Sequence, residues 1–141
     1  MKPFLISLAC VLAAIAVLSL RTRYRLRREA VRRWRPSKAE FIADVTSRGV
    51  SIEVGQAVYA GFQKWASPIV RDFPLAPTDR IALFIPIVVH DYEAIMDGIV
   101  TASGRSRSSD NRLPFTRDTT IADIAIWVEK LGVGASTQRS T

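Results

Sequence analysis

The sequence predicts an all-α chain, an N-terminal transmembrane helix followed by a small four-helix bundle, on three observations. Residues 4–20 carry no charge. Four later segments repeat apolar residues at helical spacing between capping signals. The strand-like run broken by Pro86 is too brief for a sheet.

The apolar run FLISLACVLAAIAVLSL has only Ser7 and Ser19 as polar side chains. Extended by Pro3 and the stem of Arg21, it makes roughly 27–30 Å of helix at about 1.5 Å per residue, the lower end of spanning length. A cleaved secretory signal fits poorly, because the apolar stretch is long, no A-x-A site follows, and the downstream flank is densely cationic. A lipoprotein signal fits no better: Ser7-Leu8-Ala9 is a poor box before Cys10, and cleavage there would strand ten apolar residues on the mature chain. The reading is an uncleaved anchor over 1–20.

Residues 21–36, RTRYRLRREAVRRWRP, hold eight arginines against the single acid Glu29. Lys2 and the terminal amine flank the other end. The positive-inside rule then puts the arginine side in the cytoplasm, giving a short outer N-terminus, one span of a bacterial-type inner (plasma) membrane, and residues 21–141 inside. Arg21, Arg23, Arg25, Arg27, Arg28, Arg32, Arg33 and Arg35 are read as a collar on anionic lipid headgroups. Tyr24 and Trp34 are its interfacial aromatics. Leu20, Tyr24, Val31 and Trp34 are expected to share one helix side, interrupted by Arg27 and Arg28.

Net charge is +7, yet its distribution decides more than its total. Residues 1–36 carry nine Lys/Arg and one acid, leaving +8, and residues 37–141 carry eleven and twelve, leaving −1. The globular part is nearly neutral, unlike a folded nucleic-acid-binding face. No base-stacking platform accompanies the arginines either, so nucleic acid is the disfavoured partner. One cysteine, Cys10, and one histidine, His90, exclude an internal disulfide, a Cys/His metal cluster and a Cys–His dyad. No G-x-S-x-G elbow is present for serine chemistry.

In the cytoplasmic helical domain, 37–131, Ser37 and Glu40 form a capping box for a helix with Phe41, Ile42 and Val45 inward, closed by Gly49. Ser51 caps a second helix carrying Val54, Val58, Gly61, Phe62 and Trp65, with Pro68 near its end. DFPLAP reads as a proline-punctuated loop, and TDRIALFIPIVV as a short helix merging into the apolar run. Asp91 is expected to cap a helix over 92–103 that buries Tyr92, Ile95, Ile99 and Val100 and ends at Gly104. Residues 105–112 read as a polar surface loop. Thr120 and Asp123 box the last helix, with Ile121, Ile124, Ala125, Val128 and Leu131 along one face and Gly132 ending it. Residues 132–141 are expected to form a flexible tail.

Two short motifs carry a resemblance. P-x-D-R-I, here Pro77-Thr78-Asp79-Arg80-Ile81, precedes a helix starting near Asp91, and T-T-I-A-D-I follows before the terminal helix. Over roughly residues 52–131 this resembles the layout of acyl carrier proteins, which implies an acyl-carrier-like four-helix fold with a short third helix. The family attaches phosphopantetheine to the serine of a D-S-L motif at the start of its second helix. Here the serine position falls on Val89, which has no hydroxyl for a phosphodiester. The resemblance therefore implies a degenerate relative lacking that cofactor, and no catalytic or cofactor residue is carried over.

His90, Asp91, Glu93 and Asp97 cluster at one helix start. A metal or acid/base site is conceivable there, but a solvated acidic first turn favoured by the helix dipole explains the same residues. Trp65, Trp127, Phe62 and Phe84 are read as core. Arg105, Arg107 and Arg112 read as a flexible polar loop rather than a phosphate site. No catalytic, cofactor or metal residue is assigned. The leading expectation is a non-enzymatic, membrane-anchored adaptor whose partners are anionic lipids and another protein. The alternatives are an acyl-carrier-like accessory in lipid or secondary metabolism and a membrane-tethered nucleic-acid binder.

Overall fold

Helix α1 runs without a break from Lys2 to Arg32, so the apolar run and most of the arginine run are one rod. The computed structural model describes residues 2–32, 36–66, 70–84, 89–108 and 110–133, with backbone alone at 2–6, 22 and 89–91. After α1 come α2 (Lys38–Ser47), α3 (Ile52–Ala66), a 3-10 turn (Ile81–Leu83), α4 (Val89–Ala102) and α5 (Ile121–Glu129). Among the described residues there is no strand. Two isolated antiparallel bridges occur, Arg80 with Thr120 and Arg105 with Val133.

Local chemistry sets most of the boundaries. Ser37 and Glu40 make the reciprocal capping box, the Ser37 N–H donating to Glu40 Oε2 at 2.6 Å and the Glu40 N–H donating to Ser37 Oγ at 3.2 Å. Thr120 and Asp123 repeat it at the start of α5. Gly49 and Gly104 have φ of +86° and +66°. Each follows a helix as the left-handed residue of a Schellman motif, with Val50 N–H donating to the Val45 carbonyl and Arg105 N–H to the Val100 carbonyl.

Helix α3 is the hub, packing against α2, α4 and α5. It can do so because its sides are graded in size. Val54, Val58 and Phe62 are buried, whereas Gly61 lies where α4 comes closest. A Cβ built on Gly61 would lie 2.4 Å from Ile99 Cγ1, so this approach requires glycine. The core continues through Phe41, Val45, Phe73, Leu75, Ile81, Phe84, Met96, Ile99, Ile121, Ile124 and Val128. Phe73 and Leu75 come from the proline-punctuated loop, which is thus an inward-facing part of the core. The Gln63 carboxamide, oriented to satisfy its partners, bridges the Phe73 N–H and carbonyl at 2.9 Å each and holds that loop down.

Several expectations are corrected. Helix α4 begins at Val89, so Asp91 lies in its first turn and is not its N-cap. Helix α5 ends at Glu129, and Gly132 is not left-handed. Chain order persists past it: Ser106 N–H donates to the Gly132 carbonyl at 3.0 Å, and Val133 bridges to Arg105. The rest of the expected tail, 134–141, lies outside the described residues, as does Pro68. The start of the 105–112 loop is pinned by charge, with the Arg105 side chain paired to Glu129 and Arg107 to Asp97 at 3.0 Å.

Glu129 also changes how α3 begins. Ser51 occupies the N-cap, its carbonyl accepting from the Gly55 N–H at 2.9 Å. Its hydroxyl does not cap its own helix but donates to Glu129 Oε2 at 2.6 Å, and the Ser51 N–H donates to the same oxygen at 2.9 Å. A carboxylate from α5 therefore sits at the positive end of α3 and ties the two ends of the domain together.

The Ser51 hydroxyl, with the Ser51 N–H and Arg105 adding to it against desolvation, holds the Glu129 carboxyl below its ordinary value of 4.5. A depressed folded pKa gives stability that is complete above the unfolded value and disappears as pH falls through the folded one. Glu129→Gln should cost about 1–3 kcal/mol at neutral pH. Its thermal midpoint should also fall less steeply than the parent's as pH drops below 4.5. Thermal unfolding of the full chain in detergent from neutral to acid pH reads both effects. Superimposable curves would remove the carboxylate from this role.

Candidate functional site at the base of helix α1

The site is built where α1 leaves its apolar run. Arg21, Arg23, Tyr24, Arg25, Arg27, Arg28 and Arg32 are all exposed. Arg33, Trp34 and Arg35, also read as headgroup contacts, lie outside the described residues. The expected stripe faces outward, with Leu20, Tyr24 and Val31 exposed by 64%, 68% and 84%. A different side of the helix meets the domain: Leu26 and Ala30, one turn apart, are 0% and 6% exposed and belong to the main core cluster.

This inward pair is the feature that sequence reasoning missed. Leu26 is a single leucine between arginines, and one apolar residue per turn gives no recognisable periodicity. Its burial is worth roughly 1.5–3 kcal/mol. The last turns of the rod are thus part of the folded domain.

The surface receiving α1 is rigid. Ile81 N–H donates to the Thr119 carbonyl, Ile121 N–H to the Asp79 carbonyl, and Ala122 N–H to the Pro77 carbonyl, each at 2.9 Å. The two motifs that carried the family resemblance, 77–81 and 119–124, are therefore clamped to each other. Asp79 is 4% exposed and turns its carboxylate onto the Ala76 N–H at 2.9 Å, closing the bend from within. Arg80 reaches Asp118 at 3.1 Å on the outside.

Between this clamp and α1 lies a polar cleft of about 410 Å³ lined by Arg25, Glu29, Thr78, Asp79, Arg80 and Arg117, with Ala82 and Leu83. A second hollow, about 670 Å³, runs between α3 and α4 over Ala57, Ala60, Gly61, Ala94, Gly98 and Ala102, edged by Lys64 and Trp65. The small residues that let the two helices approach also leave it.

The polar cluster expected at the start of α4 is described only in part. Glu93 is exposed, Asp97 is engaged by Arg107, and the side chains of His90 and Asp91 lie outside the described residues. Among the described residues no three His, Cys, Asp or Glu side chains come together as a metal-holding group. Phe62 and Phe84 are core, and Trp65 and Trp127 pack against it half-buried. Cys10 lies exposed on α1.

No family model, no curated protein and no solved structure matches this chain. By length and composition α1 is the one helix among the described residues apolar enough to cross a membrane.

Proposed function

We propose that this chain is a non-enzymatic, single-pass membrane protein whose helical domain serves as an adaptor. The domain is held against the arginine-flanked leaflet, where it binds a protein partner. The burial of Leu26 and Ala30 carries the reading. An anchor joined to its domain by a loose tether would only localise it, whereas one whose last turns enter the core also orients it. The exposed arginines around those turns suit anionic headgroups, each cation near the surface being worth about 1 kcal/mol. The positive-inside rule supports a cytoplasmic domain on the inner membrane. The single histidine and the membrane placement of the single cysteine support a binding rather than a catalytic role.

The full chain should stay in the membrane pellet through alkaline carbonate extraction. In intact spheroplasts its domain should survive added protease until the cells are lysed. Release by carbonate defeats the anchor; digestion before lysis reverses the orientation.

A further inference from the structure

We propose that the cleft between α1 and the clamped 77–81 segment is a phosphate site, filled in the membrane by the headgroup of an anionic phospholipid. The inference rests on the anchored reading above and adds to it two residues of the folded domain, Arg80 and Arg117. Neither lies near the anchor in sequence.

Three lines of geometry meet there. The first is depth. Arg25 stands five residues beyond Leu20, the last residue of the apolar run. At about 1.5 Å per residue this is roughly 7–8 Å past the hydrocarbon boundary, within the headgroup layer of about 5–8 Å on each side. The second is direction. Side chains on a helix lean toward its N-terminus, so Arg25 and Glu29 lean back toward the membrane. The third is chemistry. Arg25, Arg80 and Arg117 line one cleft, coming from α1, the 77–81 segment and the loop before α5.

The acids around the cleft are Glu29 and Asp79, which line it, and Asp118, which pairs with Arg80. Asp79 directs its carboxylate to the Ala76 N–H inside the bend. Arg80 engages Asp118 through one terminal nitrogen, and a guanidinium has five N–H donors in a fork that matches phosphate oxygens. Among the described residues no acid lies within ion-pair distance of Arg25 or Arg117. The backbone clamp fixes the 77–81 segment against 119–122, and Leu26 ties α1 to the same core. A phosphate entering the cleft thus meets arginines from three separate segments, which a run of arginines on one helix does not offer.

The test uses the full chain in nanodiscs of zwitterionic lipid doped with phosphatidylglycerol, with retained lipid read by native mass spectrometry after transfer to detergent. The parent should keep one phosphatidylglycerol through the transfer. Arg80→Gln/Arg117→Gln should lower its retention at least tenfold with an unchanged thermal midpoint. Arg71→Gln, on the exposed surface beside Asp72, should leave retention unaltered. Inorganic phosphate in the transfer buffer distinguishes the sources. No displacement at millimolar phosphate assigns the site to lipid. Displacement that the double variant abolishes assigns it to soluble phosphate. Equal retention by parent and double variant overturns the site, and if retention then falls in Arg21→Gln/Arg23→Gln/Arg27→Gln, the collar acts alone. Carbonate extraction, run in parallel, reports separately whether the anchored reading stands.

Discussion

Leu26→Ala should loosen the domain from helix α1 and lower the thermal midpoint of the full chain by roughly 8–40 °C. Truncating a fully buried leucine costs about 2–5 kcal/mol, and each kcal/mol shifts a domain of this size by roughly 4–8 °C. Leu26 is the larger member of the pair that enters the core from α1, with Ala30 filling the next turn. Leu26→Asp should be more severe, because a carboxylate placed in that apolar core is desolvated without compensation. Limited proteolysis supplies an independent reading. Both variants should be cut by trypsin after Arg32 faster than the parent. A midpoint unmoved in Leu26→Ala would show that α1 does not dock.

Phe84→Ala is expected to be the most damaging core change. Its ring is fully buried and stands edge-on to three others, with centroids 5.9 Å from Phe62, 6.2 Å from Trp65 and 5.3 Å from Phe73. Removing a buried phenylalanine costs about 3–5 kcal/mol, and such aromatic pairs add roughly 0.5–1.5 kcal/mol beyond their area. Most of the stability of a small domain lies within that range. Tryptophan fluorescence during urea unfolding reports the change directly, since Trp65 is one of the touching rings. A midpoint within experimental scatter of the parent's would mean that the cluster does not hold the 70–84 segment to α3.

What could be read from residues alone was whatever depends on near neighbours. The capping boxes at Ser37 and Thr120 and the left-handed glycines at 49 and 104 are four- to six-residue devices, and each appears where its sequence places it. The inward sides of α3 and α5 follow from helical spacing in the same way. What escaped depends on contacts between distant segments. Phe73 and Leu75 sit in a loop without periodicity, and Phe73 is held there by Gln63 and the Phe84 ring. Nothing local marks Glu129 as the cap of another helix 78 residues earlier in the chain. The cleft was invisible for the same reason. Arg25 was identified as one of a row of arginines, whereas Arg80 and Arg117 acquire a shared setting only through the clamp between 77–81 and 119–122.

The unbroken course of α1 has a geometric consequence. A helix turns by about 100° and advances by about 1.5 Å per residue. Leu20 ends the apolar run and Leu26 is the first side chain in the core, so the six-residue count between them sets the azimuth of the whole domain about the rod. One residue added in that interval would turn the domain by about 100° relative to the apolar run, and seven would restore nearly the same heading about 10 Å further along. The spacer acts as a compass bearing, and its length carries information that its composition does not.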